Sequence, residues 1–120
     1  MKPLSAATLL LASLLSTPIT ALAALKAGDA APPFKTPAAV AGQAFDFDLS
    51  AALKKGPVVL YFFPKAFTKG CTVEANAFAE ATPQFAALGA TVVGISHDDI
   101  DTLKKFSTEE CRNKFAVASD

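Results

Sequence analysis

The sequence has no excess of charge of either sign, because its 120 residues include 11 lysine or arginine and 11 aspartate or glutamate residues. A protein that binds nucleic acid electrostatically needs a clustered basic face. Here the lysines are scattered and Arg112 is the only arginine, so we expect no nucleic-acid partner. No internal repeat or low-complexity tract is present. A composition of 52% hydrophobic and 18% charged residues is that of a globular protein with at most one domain.

Long apolar runs are also lacking. The most apolar block, residues 6–15, is too short to span a membrane. It follows a charge at Lys2 and precedes the small-x-small pattern Ala21-Leu22-Ala23, which a signal peptidase cuts. We therefore predict that residues 1–23 are a signal peptide, with an uncleaved N-terminal anchor as the alternative. The remaining domain, residues 24–120, is then periplasmic or secreted in a bacterium, with no stable membrane association.

Cysteine is scarce, since only Cys71 and Cys111 are present, 40 positions apart. In an oxidising compartment, two cysteines most often form a structural disulfide. Only the residues around each thiol can favour another interpretation.

The first part of the predicted domain reads as an extended lead-in, one strand and one short helix. The prolines of "APPFKTP" remove backbone donors, and we expect them to bar a regular strand there. Apolar residues alternate in "QAFDFDLS", which predicts a short, half-exposed strand. The segment "SAALKK" predicts one or two helical turns that end at Gly56 and Pro57.

The second part alternates strands and helices. "VVLYFF" indicates a strand buried on both faces, and "TVVGIS" and "FAVAS" indicate two more strands. A helix begins near Cys71, should kink or restart at Pro83, and ends at Gly89. A second helix covers "DDIDTLKKFSTEEC". This order predicts right-handed crossovers and a parallel sheet, with the chemistry beyond the carboxyl ends of its strands.

Cys71 lies where such chemistry is expected, in the loop after the first central strand and at the start of a helix. The attacking species is a thiolate, and a helix N-terminus stabilises negative charge through its dipole and its free N–H groups. The hydroxyl of Thr68 is available to donate to the thiolate or to a substrate oxygen. Pro64 ends the strand and is placed to shield the sulfur from water. Glu74 is either a first-turn acid that caps the helix or an active-site residue.

Pro64, Thr68 and Cys71 reproduce the Pro-x-x-x-Thr-x-x-Cys motif of peroxiredoxins. The stretch "YFFPKAFTKGCTVEANAF" resembles the bacterioferritin-comigratory, or Q-type, branch of that family, and so do "GDAAPPF" before it and "GATVVGIS" after it. The resemblance implies an α/β, thioredoxin-like fold in three layers, with a central, mostly parallel sheet.

The resemblance also implies a thiol peroxidase that reduces hydrogen peroxide and organic hydroperoxides. Cys71 is then the peroxidatic cysteine, which becomes a sulfenic acid. Thr68 binds the peroxide and Pro64 shields the site. The implied partners are the hydroperoxide and a thioredoxin-like or other thiol reductant, with no cofactor and no metal.

Two departures from the family pattern stand out. Some Q-type members carry the resolving cysteine five residues after the first, where this chain has Asn76. Cys111 lies near the end of the second helix, where another branch is expected to keep it, and so becomes the probable resolving cysteine. The family also uses an arginine from a later strand, and Arg112 is not at that position. We therefore expect a C-terminally truncated peroxiredoxin, lacking the closing strands and helix, whose activity is weakened.

Three alternatives differ at identifiable positions. A thioredoxin-like disulfide oxidoreductase needs Cys-x-x-Cys, where this chain has Glu74, and a copper carrier needs Cys-x-x-x-Cys, where it has Ala75. An inactive structural fragment with a Cys71–Cys111 disulfide is the third. His97 and the acids beside it are a weak metal candidate, since a helix N-terminus accounts for the acids. Phe67 either packs in the core or lines the peroxide entrance.

Overall fold

The computed structural model describes residues 24–120, so the predicted signal peptide lies outside the described residues. Residues 24–31 contain a turn in which the Lys26 N–H donates to the Asp29 carboxylate at 2.7 Å. Pro32–Asp120 form a separate compact unit. Within residues 24–120, no helix is both long enough and apolar enough to cross a bilayer. The domain boundaries predicted from the sequence stay a prediction.

The lead-in contains a strand that the sequence did not predict. Strand β1, Lys35–Val40, forms an antiparallel hairpin with β2, Gln43–Asp48, which is the strand expected from the alternating residues. The expectation that proline bars a strand here was wrong, because Pro37 lies inside β1. Strand β1 pairs with β5, Ala116–Ser119, only at Ala38 and Ala39. Pro37 therefore lies beyond the paired residues on that side, where its missing N–H breaks no bond.

The predicted strand–helix alternation is confirmed. Helix α1, Leu49–Leu53, leads to β3, Val58–Phe62, and helix α2, Lys69–Ala87, leads to β4, Thr91–Ser96. Helix α3, Ile100–Glu109, then leads to β5. The strands form one sheet in the order β2-β1-β5-β4-β3. Strands β3, β4 and β5 are parallel, and the hairpin joins them in antiparallel orientation.

Two apolar clusters cover the two faces of this sheet. On one face, α2 and α3 bury a cluster that includes Ala75, Leu103 and Phe106 against Val92 and Val117 of the strands. On the other face, the start of α1 packs against side chains of β1, β2, β4 and β5 in a second cluster: Ala38, Phe47, Leu49, Val93, Ile95 and Ala118. Helices α2 and α3 thus lie on one side of the sheet and α1 on the other, which gives the three layers expected.

Strand β3 is less buried than its apolar sequence predicted. It is the terminal strand of the sheet that the described residues form. The side chain of Phe62 at its end is 71% exposed, whereas Phe63, which points to the helix-covered face, is buried. Side chains alternate along a strand, and Phe62 lies on the face opposite α2 and α3, where Val58 and Leu60 are partly covered but Phe62 is not.

Helix α2 runs continuously through Pro83, so the predicted restart does not occur. The Thr82 hydroxyl donates to the Phe78 carbonyl at 2.8 Å in the same turns. The predicted end at Gly89 is confirmed. Gly89 has φ +71°, its N–H donates to Ala86, and the Ala90 N–H donates to the Phe85 carbonyl. These two bonds form a Schellman motif.

Candidate active site

Cys71 is the third residue of α2, because the helix begins two residues earlier than the sequence indicated. Thr68 is the N-cap residue in an extended conformation, and its side chain does not cap the helix. The first intrahelical bond comes from the Thr72 N–H to the Thr68 carbonyl at 2.9 Å. The N–H groups of Lys69, Gly70 and Cys71 therefore have no acceptor within the helix, and the positive end of the helix dipole lies at this turn.

Thr68 and Pro64 lie in the loop that precedes this helix, as the motif predicted. The Thr68 hydroxyl donates to the carbonyl of Lys65 at 2.8 Å. A hydroxyl has one proton to donate and two lone pairs, so in this arrangement the Thr68 oxygen is an acceptor toward a bound molecule. Pro64 lines a cavity of about 320 Å³, which also involves Phe62, Phe63, Ile95, Ser96, His97 and Asp120.

Phe67 packs on the core, which is one of the two roles that the sequence left open, and its place at the peroxide entrance stays a prediction. Its ring is 43% exposed, yet it meets Phe106 edge-on with ring centroids 5.2 Å apart. Its backbone is in the left-handed region, with φ +64°. Such a conformation is uncommon for a bulky residue, so the loop carries local strain beside Cys71.

Glu74 does not cap the helix. It lies on the exposed surface of α2 and lines a shallow groove with Ala77 and Phe78. Ala75 is fully buried in the core cluster. Neither position supplies the second thiol or metal ligand that the rival thioredoxin-like and copper-carrier functions require.

Cys111 directly follows the C-cap residue of α3 and is fully buried. Burial, with a smaller contribution from the carboxylate of Glu110, raises the pKa of the Cys111 thiol to about 12. Only a thiolate attacks efficiently, so Cys111 is unreactive in this conformation. Both cysteines are free and buried in the same apolar cluster, so the structure does not contain the Cys71–Cys111 disulfide that the inactive-fragment alternative requires.

The residues around Cys111 are held to α2 by polar contacts. The side-chain amide of Asn76 donates to the Glu110 carboxylate at 3.2 Å, and Arg112 pairs with Glu80 at 3.3 Å. Arg112 and Asn113 both have positive φ, at 52° and 61°. The segment after α3 is therefore held to α2 by exposed or half-buried contacts, while its backbone is strained.

Tyr61 lies in the same cluster as the two thiols. Its ring stacks on Phe78 with centroids 4.3 Å apart and also contacts Phe63 and Phe115. Among residues 24–120, its hydroxyl is the buried side-chain polar atom that has no hydrogen-bond partner. Burial raises the pKa of Tyr61, and negative charge on Cys111, Glu74 or Cys71 raises it further, so the phenol stays protonated.

Asp98 is a site residue that sequence reasoning missed. The acids of "HDDID" were assigned together to the start of α3, but Asp99 alone caps it, accepting from the Thr102 N–H at 2.8 Å. The Asp98 carboxylate instead accepts from the Ala66 N–H, in the active-site loop, at 2.7 Å. The signal that could have found it is its position directly beyond the carboxyl end of β4.

The AhpC/TSA family model matches residues 27–120. The chain belongs to the AhpC/TSA family. It is 38% identical over 96 residues to peroxiredoxin Bcp of Escherichia coli, an alignment that covers 80% of this chain. The crystal structure of peroxidoxin BcpB from Mycobacterium tuberculosis superposes on 78% of the chain with a TM-score of 0.69 and 39% identity. The bacterioferritin comigratory protein of Xanthomonas campestris superposes on 70% with a TM-score of 0.61 and 32% identity.

These comparisons confirm the resemblance to bacterioferritin-comigratory and Q-type peroxiredoxins and the thioredoxin-like fold. The AhpC/TSA chain spans 58% of E. coli Bcp, 58% of BcpB and 52% of the X. campestris protein. The matched part of the chain thus spans little more than half of the length of each of these relatives.

Proposed function

We propose that this AhpC/TSA chain reduces hydroperoxides through Cys71. The observation that carries the proposal is the position of the Cys71 sulfur in the first turn of α2, behind a loop with the Pro64 and Thr68 spacing. The free N–H groups of that turn stabilise a thiolate there. Burial raises the pKa of the Cys111 thiol to about 12, so Cys111 is not the thiol that attacks the peroxide in this conformation.

In the proposed reaction, the Cys71 thiolate attacks the terminal oxygen of the hydroperoxide. The S–O bond forms as the O–O bond breaks, Cys71 becomes a sulfenic acid, and the leaving oxygen takes up a proton to give water or an alcohol. Thr68 accepts a hydrogen bond from the peroxide, and Pro64 keeps water from the sulfur.

Hydrogen peroxide and organic hydroperoxides are the proposed substrates. The X. campestris relative is described for its alkyl peroxide reduction activity. That likeness supports the extension to organic hydroperoxides.

We further propose that Cys111 resolves the sulfenic acid. Its thiol displaces water from Cys71–SOH to form an intramolecular disulfide, which a thioredoxin-like donor reduces with its two thiols. Disulfide formation needs Cα atoms within about 7 Å and an ionised thiol, so the buried Cys111 has to leave the core first. We expect two parts to unfold locally so that the cysteines can meet: the strained segment after α3 and the first turns of α2.

The decisive experiment treats the reduced protein with one equivalent of hydrogen peroxide in the presence of dimedone, followed by peptide mass spectrometry. The adduct is expected on Cys71 in the wild type and in Cys111→Ser. Labelling only at Cys111, or at neither thiol, would exclude the proposed peroxidase. Cys71→Ser is the matched control and should consume no peroxide.

A further inference from the structure

The loop that carries Pro64 and Thr68 is held by a carboxylate from the neighbouring strand end. The Asp98 Oδ2 accepts from the Ala66 N–H at 2.7 Å and from the Ser96 hydroxyl at 2.8 Å. A carboxylate that accepts a backbone N–H forms a charge-assisted bond, which is shorter and stronger than a neutral one. Asp98 therefore fixes the middle of the active-site loop.

Asp98 is itself held from both sides. Its N–H donates to the Ser96 hydroxyl oxygen at 3.2 Å, and its carbonyl accepts from the Ser119 hydroxyl at 2.7 Å. The Asp120 N–H donates to the Ser96 carbonyl at 2.8 Å. The carboxylate is thus attached to the ends of two strands, β4 and β5, and is not a freely rotating surface group.

The loop needs such a restraint because Phe67 is strained. A bulky non-glycine residue at φ +64° is strained and persists only where its surroundings fix it. Two contacts fix it here: the Ala66 N–H bond to Asp98 on one side and the packing of the Phe67 ring on Phe106 on the other. Thr68, the N-cap residue of α2, follows directly.

We propose that Asp98 is a positioning residue for the peroxide reaction of Cys71. By holding Ala66, it sets the strained turn at Phe67 and thereby the place of Thr68 relative to the sulfur. This inference rests on the proposed peroxidase function. Asp98 touches neither sulfur nor substrate, so its effect acts through the loop.

The test compares two reactions of the same thiolate. The rate constants of Cys71 with hydrogen peroxide and with iodoacetamide are measured at one pH, and their ratio cancels any change in thiolate fraction. Peroxide needs the positioned loop and iodoacetamide does not. Asp98→Ala should lower the ratio at least about tenfold, since a displacement near 1 Å at a reacting centre can cost on the order of 100-fold.

Asp99→Ala is the matched control, because it removes a neighbouring carboxylate that caps α3 without touching the loop. It should leave the ratio within about twofold, as expected of a change away from the site. Asp98→Asn keeps one carbonyl acceptor for Ala66 and should fall between wild type and Asp98→Ala. Ser96→Ala, which frees the carboxylate to rotate, should also lower the ratio.

An unchanged ratio in folded Asp98→Ala overturns the inference. If that variant does not fold, an unchanged ratio in both Asp98→Asn and Ser96→Ala overturns it equally. A wild-type Cys71 that ignores peroxide refutes the proposed function and, with it, any catalytic effect of Asp98. In that case amide hydrogen exchange at Ala66, expected to be faster in Asp98→Ala than in Asp99→Ala, shows separately whether the carboxylate holds the loop.

Discussion

The ring of Tyr61 lies directly against Gly94, its partner across the β3–β4 ladder. A Cβ added at Gly94 would lie 2.9 Å from the Tyr61 hydroxyl oxygen and 2.8 Å from its Cζ. Real Cβ atoms essentially never approach other atoms this closely, so the absence of a side chain at Gly94 makes the room that the tyrosine fills.

Gly94→Ala should therefore destabilise the fold by about 1–3 kcal/mol, the usual cost of overpacking a core. Urea unfolding measures the change. Gly70→Ala is the control, because a Cβ at Gly70 meets nothing within 4 Å. Equal stability of Gly94→Ala and wild type would show that the tyrosine moves aside at no cost.

Tyr61→Phe should leave the stability unchanged or raise it by about 1 kcal/mol, because it removes a buried hydroxyl that makes no bond. Ser107→Ala is the contrasting variant. The buried Ser107 hydroxyl accepts from the Gly42 N–H at 2.9 Å and donates to the Lys104 carbonyl at 2.7 Å, so its loss should cost about 1–3 kcal/mol. A similar loss in both variants would mean that the Tyr61 hydroxyl has a partner in solution.

The buried thiol of Cys111 should make stability fall at high pH. Burial raises its folded-state pKa from 9.0 to about 12, so the unfolded chain loses this proton first as the pH rises. The stabilisation is complete below pH 9.0 and is lost progressively between 9.0 and about 12. Tyr61, whose folded pKa is also raised, begins to contribute only near its ordinary value of 10.0.

Urea unfolding at intervals from pH 8.5 to pH 10 isolates the Cys111 contribution. Wild type should lose stability over this range, and Cys111→Ala should lose measurably less, although its absolute stability is lower. Parallel pH profiles for the two proteins would contradict the assigned cause.

Cys111→Ser should reduce one equivalent of peroxide and then stop as the sulfenic acid, because no thiol is left to displace water. Coupled turnover with thioredoxin, thioredoxin reductase and NADPH measures this. Cycling at the wild-type rate would mean that an external thiol resolves the intermediate.

Removal of a polar contact between α2 and the segment around Cys111 should speed disulfide formation. Glu110→Ala removes the acceptor of the Asn76 amide and should raise the rate about two- to fivefold, since partly exposed polar contacts contribute roughly 0.2–1 kcal/mol. Glu109→Ala, at the exposed neighbouring position, is the control. Equal rates for these two variants would place the opening elsewhere.

A fusion of residues 1–30 to a reporter that is active only in the periplasm tests the predicted export. We expect activity and cleavage after Ala23, and retention of full length in Ala23→Asp, which spoils the small-residue pattern. An uncleaved, membrane-associated product would favour the anchor.

The sequence predicted the parts of the fold that depend on local patterns. The β-branched runs, the helix caps and the Pro64–Thr68–Cys71 spacing placed the strands, α2 and the thiol loop. The sequence wrongly excluded a strand at Pro37, because a strand can contain a proline where no neighbouring strand needs its N–H group. It overestimated the burial of Phe62, because sheet order is not a local property.

The two polar features that sequence reasoning missed arise from long-range contacts. Asp98 binds the N–H of Ala66, which is 32 residues away along the chain. From the sequence alone, stabilisation of the start of α3 already explains an acid at this position, so the contact with Ala66 was not predicted. The Tyr61 hydroxyl lacks a hydrogen-bond partner because of the side chains that surround it in the fold, and a sequence pattern does not show which side chains these are.

At the end of the sheet opposite the loop of Pro64 and Thr68, Gly56 lies against Gly89. A side chain at Gly56 would overlap the Gly89 carbonyl oxygen, and beside it the Thr91 N–H donates to the Pro57 carbonyl at 2.9 Å. A glycine-to-alanine substitution at Gly56, which often stabilises a turn, would therefore destabilise this protein, even though the turn lies far from Cys71. Thermostabilised variants are better sought on the exposed face of α2, where side chains can change without moving either strand.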